Sequence, residues 1–227
     1  LLTVHAKALR TAGRPQEAVA AFEALFERLR TWPTEPDPVD IVGSHLSYPI
    51  ALRQAGQPER ALEEARKNIK LTRRLLGAVD LHYARALIQA ASECRVSDLL
   101  TEAIGYQNDA LILFSDTLGN AHFSTQDAKE RLIDMYTQQG NLTEALQVRR
   151  DMVEYAKIDS GPTAPETLNE IQWFIEALID ADQNEEGLTL AEATLEQLRT
   201  LGPPSKDLWT PLLQKMRSQL QPASSKE

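Results

Sequence analysis

The chain has 227 residues, one cysteine and a formal net charge of −9. It contains no run of about 18 apolar residues, which argues against a membrane-spanning helix, and Cys94 alone cannot form an intramolecular disulfide. The charge is uneven, because residues 1–100 carry 14 basic and 12 acidic side chains whereas residues 101–227 carry 10 and 21. The acidic second part argues against a nucleic-acid-binding protein, and the single thiol favours a reducing, cytoplasmic location.

Small residues recur along the chain at a nearly constant spacing. One series of alanines and a glycine advances in steps of 43, 42, 42 and 42 residues, and a series of glycines advances in steps of 42, 42 and 41. The first series is Ala18, Ala61, Ala103, Ala145 and Gly187, and the second is Gly77, Gly119, Gly161 and Gly202. Two series with one period predict an array of helical hairpins rather than a single globular core.

The period divides the chain into five repeats and a closing helix. We place the repeats at residues 1–35, 39–77, 79–119, 121–161 and 163–202, a capping helix at 205–220 and a disordered tail at 221–227. Residues 1–220 are then expected to form a single repeat domain. Within each repeat, one residue that favours a tight turn separates two helical patterns. These turn residues are Gly13, Gly56, Asp98, Gly140 and Asp182.

Several local patterns refine this outline in chain order. The proline-rich stretch Trp32–Asp40 predicts an extended connection, and Pro49 predicts a kink or a delayed helix start in repeat two. Repeat three has Asp98 in place of a turn glycine and Gly105 within a helix, so we expect the lowest local stability there. Capping patterns are predicted at Asn141 with Glu144 and at Thr163 with Glu166.

Periods in the forties occur in tetratricopeptide-like arrays and in HEAT- or armadillo-like arrays. The segments GRPQEA, GQPERA and GNLTEA place a small residue five positions after the turn glycine, which lets two helices approach closely. The linker between repeats three and four also carries a recognisable pattern. Its matching residues are Leu118, Gly119, His122 and Thr125, with Phe123 where proline is expected, and Gly161, Pro165 and Thr167 follow one period later.

These residues resemble the long tetratricopeptide repeat of kinesin light chains, whose linker reads roughly L-G-x-x-H-P-x-T. The resemblance is specific over about residues 118–200 and weaker elsewhere. It implies an all-α, right-handed α-solenoid in which the first helix of each hairpin lines a concave groove. It also implies that the groove binds proteins or peptides, without identifying a partner.

Charged residues recur on the predicted groove face. Arginines stand three residues before the first three turn residues, at Arg10, Arg53 and Arg95, and Lys7 and Arg85 are expected nearby. Arginines in a row can bind the carboxylates or phosphates of a peptide. The alternative is that each arginine binds carbonyl groups at the end of its own helix.

The last two repeats present the opposite charge on the same face, together with a tryptophan. The predicted groove residues there are Asp127, Glu130, Asp134, Trp173, Glu176 and Asp180. Trp173 is a candidate anchor for a partner, and packing between hairpins is its alternative role. Trp32 and Trp209, near the ends of repeats, are interpreted as packing residues.

No pattern predicts catalysis, a metal or a cofactor. The four histidines are dispersed along the chain, so a zinc site is not expected. Cys94 stands at the position that Tyr136 occupies one period later, so we interpret it as a buried apolar residue. Nucleotide-binding loops and nucleophile motifs are absent from the sequence.

We therefore expect a non-catalytic scaffold or adaptor for protein partners, with an acidic partner segment at the basic end of the groove. The alternative is a sensor or autoinhibitory segment of a larger signalling enzyme, such as an ATPase or a protease. A first residue other than methionine is consistent with a fragment of a longer protein. A neighbouring catalytic domain in the full reading frame would favour this alternative.

The arginine series generates a first prediction. Reversing the charge of Arg53 and Arg95 together should strongly weaken the binding of an acidic partner, because both guanidinium groups would face its carboxylates. The sequence alone also suggests that thermal stability stays nearly unchanged. Binding measurements on the double variant test this, and an unchanged affinity would remove the arginine hypothesis.

Overall fold

The computed structural model describes residues 2–31, 36–199 and 205–220. Across these ranges it contains twelve α-helices and no strand. The helices are α1 (Leu2–Thr11), α2 (Pro15–Arg30), α3 (Pro38–His45), α4 (Tyr48–Gln54), α5 (Pro58–Leu76), α6 (Leu81–Val96), α7 (Leu100–Leu118), α8 (Phe123–Gln139), α9 (Leu142–Asp159), α10 (Pro165–Asp180), α11 (Asn184–Arg199) and α12 (Ser205–Leu220).

The chain packs as two compact units that meet in sequence between Met135 and Tyr136, within α8. The N-terminal unit contains α1 to α7 and most of α8. The C-terminal unit contains the end of α8 and α9 to α12. The expectation of a single domain over residues 1–220 stays a prediction, and the tail at 221–227 lies outside the described residues.

All five predicted turn residues adopt the left-handed backbone conformation. Their φ angles are +73° at Gly13, +79° at Gly56, +59° at Asp98, +81° at Gly140 and +57° at Asp182. Glycine adopts this conformation without a Cβ clash, and aspartate is one of the few other residues that visit it. The turn residues predicted from the sequence are therefore confirmed in all five repeats.

The hydrogen bonds around these turns repeat as well. In repeat three the amide of Asp98 donates to the carbonyl of Arg95 at 3.2 Å, and the amide of Leu99 donates to Cys94 at 2.9 Å. This pair of bonds is the Schellman ending of a helix. The residue after each turn residue thus completes one helix and opens the next.

The predicted N-cap position of Asn141 is confirmed, but the capping bond expected from its side chain is not formed, and the capping pattern predicted at Thr163 is wrong. Asn141 stands at the N-cap position of α9 without a capping bond from its side chain, whose amide donates to Gln139 Oε1 at 2.8 Å. Helix α10 begins at Pro165, its N-cap is Ala164, and no side chain caps it. The amide of Asn141 is fixed by its bond to the Tyr136 carbonyl at 2.8 Å, which belongs to the preceding helix end.

The small residues of the first series are buried where two helices come together. Ala18, Ala61 and Ala103 are fully buried, and Ala145 and Gly187 are buried as well. Gly187 has a further neighbour, because a Cβ built at this position would lie 3.2 Å from a methyl group of Leu220. The last helix therefore packs against the position where the period places the smallest residue.

Helix α12 spans the residues predicted for the capping helix. Its apolar residues Leu213, Met216 and Leu220 are buried in the core of the C-terminal unit. Gln214, Lys215 and Ser218 on its other side are exposed. One apolar side and one polar side are what closes the end of a repeat array.

Repeat two begins with two short helices in place of one. Pro49 lies in the first turn of α4, as the predicted delayed start requires. Because Pro49 has no N–H, the carbonyl of His45 lacks its helical donor, and the buried amide of Asn68 donates to it at 2.7 Å.

The extended connection predicted for Trp32–Asp40 is wrong from Pro38 onward, where α3 begins after Asp37 caps the Val39 amide. Trp32 lies outside the described residues.

The linker threonines have a structural role that the sequence analysis did not assign. Thr125 is fully buried, and its hydroxyl donates to the carbonyl of Gly119 at 2.8 Å. Thr167 repeats this contact with Gly161 at 2.7 Å. Each threonine thus closes the linker that precedes its helix.

Ion pairs join the second helices of neighbouring repeats. Arg66 of α5 forms a two-point contact with Glu102 of α7, with one distance of 2.9 Å, and Arg150 of α9 binds Glu186 of α11 at 2.8 Å. Each arginine stands five residues after the small residue of its repeat, and each glutamate one residue before the next small residue. Glu23 and Arg60 hold the same two positions at 2.9 Å with the charges exchanged. The sequence analysis missed these pairs, each of which contributes about 0.2–1 kcal/mol at an exposed site.

Alanine substitutions at two glycines test how backbone conformation affects stability, and the two effects should have opposite signs. A Cβ at Gly105 or at Gly140 would meet no atom within 4 Å, so only backbone conformation distinguishes the two sites. Gly105→Ala should raise the free energy of unfolding by about 1 kcal/mol, because alanine favours a helix interior. Gly140→Ala should lower it by about 1 kcal/mol, because φ is positive there.

Thermal unfolding followed by circular dichroism measures both effects, which correspond to shifts of about 2–4 °C for a chain of this length. Equal shifts of the same sign would contradict the assignment of Gly140 as an obligatory left-handed turn residue.

Candidate functional site

A cavity of about 260 Å³ opens between the first helices of repeats three and four. Helices α6 and α8 provide most of its wall, and α7 contributes one residue. The lining residues are Ile88, Ser92, Arg95, Gln107, Asp127, Glu130, Arg131, Asp134 and Met135, all in the N-terminal unit. The structure therefore brings together four of the predicted groove residues, Arg95, Asp127, Glu130 and Asp134.

The cavity carries more negative than positive charge. Asp127 and Arg131 stand one helical turn apart on α8 and form an ion pair at 2.7 Å, so their charges largely cancel. Arg95, Glu130 and Asp134 also line the wall, so three acidic and two basic side chains surround the cavity.

Gln107 contributes the most buried polar group of the cavity. Its side chain is 0% exposed, and its Nε2 donates to the carbonyl of Ala128 at 3.2 Å. Only the NH₂ group can donate to a carbonyl, so this contact fixes the orientation of the amide. Gln107 Oε1 is buried and has no hydrogen-bond partner. Sequence reasoning missed Gln107, because a single glutamine within a helix carries no spacing signal.

Arg53 is held by a residue that the sequence analysis did not consider. Its Nε lies 3.3 and 3.4 Å from the two carboxylate oxygens of Glu93 on α6. Glu93 is only 1% exposed, and it also accepts a hydrogen bond from Gln89 at 2.5 Å. Burial raises the pKa of Glu93, and the nearby Arg53 charge offsets that rise only in part.

The arginine series is therefore not a uniform row. Arg95 is exposed, Arg53 is paired, and Arg10 is half-buried with an Nε that lacks a hydrogen-bond partner. Among the described residues, no guanidinium of these three binds a carbonyl of its own helix. Those carbonyls accept the turn amides instead, so the alternative reading of the arginines is wrong.

Lys7 and Arg85 lie apart from the cavity that contains Arg95. Lys7 lines a separate cavity of about 770 Å³ between α1, α2 and α3, together with Asp37 and Asp40. Arg85 is exposed near the start of α6, where its charge helps to lower the pKa of Asp80. The expected basic surface is thus divided into separate sites.

The C-terminal unit exposes the three predicted residues of α10, Trp173, Glu176 and Asp180. Trp173 is 44% exposed, and the guanidinium of Arg149 lies 5.7 Å from the centroid of its ring. Glu176 is exposed and accepts a hydrogen bond from Gln172 at 2.9 Å. Trp173 is consequently both a packing residue, on the side of Arg149, and an accessible aromatic surface.

Cys94 and Trp209, which the sequence analysis interpreted as packing residues, are both buried. Cys94 is fully buried, and burial raises its pKa to about 11, so the thiol stays protonated at neutral pH. Trp209 is buried in the core of the C-terminal unit. Both are packing residues, as the sequence analysis expected.

The ranges that the structure describes contain neither a candidate metal-binding cluster nor a candidate membrane-spanning helix. No three histidine, cysteine or acidic side chains there converge as a metal site. No helix in the same ranges is both long enough and apolar enough to cross a membrane.

Because Arg53 binds the buried Glu93, a variant of Arg53 should lose stability, whereas the sequence alone suggested almost no change. Arg53→Ala should lower the free energy of unfolding by about 2 kcal/mol at neutral pH, because a buried carboxylate loses its cation. The loss should shrink below the ordinary carboxyl pKa of 4.5, where Glu93 is protonated in both the folded and the unfolded state.

The double variant Arg53→Ala with Glu93→Gln is the matched control, since it has no buried charge to leave unpaired. Urea denaturation at neutral and acidic pH measures all three proteins. A loss for Arg53→Ala that is the same at both pH values would contradict the role given to the Glu93 charge.

Comparison with known proteins shows similarity at the level of structure. No model of a known protein family matches the sequence, and no curated protein matches it. A crystal structure of putative kinesin light chain nearly identical TPR-like repeats from Podosopora anserina matches with a TM-score of 0.68 and 18% identity. The match covers 88% of this chain and 94% of that one.

Two further solved structures are similar over most of the chain. BtubC (BKLC) from P. vanneervenii has a TM-score of 0.64 at 15% identity, over 89% of this chain and 82% of its own. MamA has a TM-score of 0.52 at 19% identity, over 84% and 92%. The resemblance stated from the linker residues is confirmed: the chain has the fold of kinesin-light-chain-like tetratricopeptide repeats, an all-α, right-handed α-solenoid of helical hairpins.

Proposed function

We propose that the chain is a non-catalytic scaffold or adaptor that binds a protein or peptide partner on the face formed by the first helices of its repeats. The observation that carries the proposal is an exposed arginine beside a cavity. On the second helices, Arg66 and Arg150 are held by glutamates of the next repeat. On the first helix α6, Arg95 is exposed and makes no ion pair within the described ranges.

An exposed arginine next to a cavity is suited to a partner in a way that a paired arginine is not. Binding through Arg66 would first require its two-point contact with Glu102 to break. Binding through Arg95 replaces only water, and a carboxylate can occupy two of its donors at once. Independently of Arg95, the accessible side of Trp173 in the C-terminal unit is an aromatic surface of the kind that dominates binding energy at interfaces.

The charge distribution supports a protein partner rather than a nucleic acid. The net charge is −9, and the excess of acidic residues lies in residues 101–227. We infer a partner segment with an acidic residue that binds Arg95, in a cytoplasmic setting. The regulatory segment of a larger enzyme stays a prediction, since no contact described above favours it.

Charge reversal at one site tests the proposal. Partners captured from a lysate by the wild-type chain are identified and then titrated as purified proteins against Arg95→Glu. The affinity should fall about tenfold, because a charge-assisted contact contributes roughly 1.4 kcal/mol. Thermal stability should stay unchanged, because Arg95 is exposed and has no ion pair to lose.

Lys70→Glu is the matched control, because Lys70 is exposed on the second helix α5 and undergoes the same change of charge. Its affinity for the partner should equal that of the wild type. Equal losses for the two variants would show a general charge effect and would contradict binding at the first-helix face.

A further inference from the structure

We propose that the exposed side of α10 binds a basic segment of a protein partner, with an arginine of that segment stacked on Trp173 and paired with Glu176. This inference rests on the proposed function, because it starts from Trp173 as a binding residue and adds the chemistry of the segment that it binds. The surface is formed by α10 in the C-terminal unit, whereas Arg95 belongs to the N-terminal unit. Each contact can therefore be tested without the other.

Helix α10 has one exposed side with a regular spacing. Exposed residues follow one another in steps of three, four, three and four, which places them on a single face of the helix. They are Glu166, Asn169, Trp173, Glu176 and Asp180. Other residues of α10 are buried in the apolar core of the unit. The helix contains no lysine or arginine, so the charges that it places on its exposed side are all negative.

Trp173 contributes accessible aromatic surface to this side. It is 44% exposed, although the guanidinium of Arg149 lies 5.7 Å from its ring centroid. The neighbouring Phe174 has the same contact with Arg150, also at 5.7 Å, but is only 3% exposed. Arginine therefore already binds two aromatic rings of α10 within the unit, and of these two rings Trp173 keeps surface for another guanidinium.

The charge of Arg149 is offset within the unit. Its guanidinium lies 3.7 Å from a carboxylate oxygen of Glu170, and both side chains are largely buried. A cation that reaches Trp173 from solvent therefore meets a neutralised pair next to the ring rather than a free positive charge.

Two carboxylates beside Trp173 determine the charge of the occupant. Gln172, the residue before Trp173, donates to Glu176 Oε1 at 2.9 Å. This bond draws the Glu176 carboxylate back along the helix towards the level of the indole and leaves Oε2 for another donor. Asp180 follows one turn later. Neither Glu176 nor Asp180 forms an ion pair with a residue that the structure describes, so both favour a cationic partner.

The geometry of the surface favours arginine over lysine. A guanidinium is planar, so it can stack on the indole and still direct N–H groups at a carboxylate, whereas an ammonium is a compact point charge. Glu176 and Asp180 are about 6 Å apart along the helix axis at 1.5 Å per residue. Alternate residues of an extended segment point the same way and are about 7 Å apart. An extended Arg-x-Arg segment can therefore bind Trp173 and Glu176 with one guanidinium and Asp180 with the other.

Repeat four does not offer the same surface. Arg131 stands one period before Trp173, and it is paired with Asp127 at 2.7 Å. Gln138 stands one period before Asp180. A basic segment would meet a cation at the position where repeat five has an indole, so the preference for arginine is specific to α10.

Short peptides test the surface without a known partner. Acetyl-Arg-Gly-Arg-amide, acetyl-citrulline-Gly-citrulline-amide and acetyl-Glu-Gly-Glu-amide are titrated separately into the full chain at millimolar concentration. Tryptophan indole N–H signals are followed in ¹H–¹⁵N NMR spectra, and the variant Trp173→Phe identifies the Trp173 signal by its disappearance. The arginine peptide should shift this signal saturably. The citrulline peptide, which keeps planar N–H donors and lacks the charge, should bind at least threefold more weakly.

Matched variants locate the charge requirement. Glu176→Gln should weaken the arginine peptide by about threefold to fivefold. Glu192→Gln, the same change at an exposed position on α11, should leave its affinity unchanged.

Absence of a saturable shift of the Trp173 signal would overturn the inference. Equal binding of the citrulline or glutamate peptide, or equal losses in the two variants, would overturn it as well. The proposed function would survive these results, because the Arg95→Glu titration with a partner depends on a residue of the N-terminal unit and not on the peptides.

Discussion

The fold depends on one backbone conformation repeated five times. A residue with positive φ follows each first helix, and the second helix begins two residues after it. The connection is so short that the two helices of a hairpin pack directly against each other. This close approach is possible because the residue five positions after the turn residue is small and buried. Turn and small residue together generate the hairpin, and the period of the hairpin places equivalent side chains on one face.

Charged side chains on the hairpins have two kinds of role. Some join neighbouring repeats, as Arg66 with Glu102 does between second helices and Arg53 with Glu93 does between first helices. Others are exposed, as Arg95 is beside the cavity between α6 and α8. The same kinds of residue therefore stabilise the array at some positions and are accessible at others.

Much of this could be predicted from the sequence, because the turns and the small residues act locally and repeat with the period. Asn141 occupies the predicted N-cap position, but its side chain forms no capping bond and its backbone bonds the helix before it as well as the helix after it. Contacts between repeats were beyond prediction for a different reason. Arg53 and Glu93 lie 40 residues apart, and Glu93 occupies a position held by alanine or methionine in the other repeats, so no period reveals the pair.

The exchanged charges of the second-helix pairs have a consequence for how such a chain evolves. Repeat two presents Arg60 towards Glu23 of repeat one and Arg66 towards Glu102 of repeat three. A recombination event that removed repeat two would bring Glu23 opposite Glu102, two like charges. The shortened chain would therefore have a like-charge contact at the new junction, where the present chain has two ion pairs.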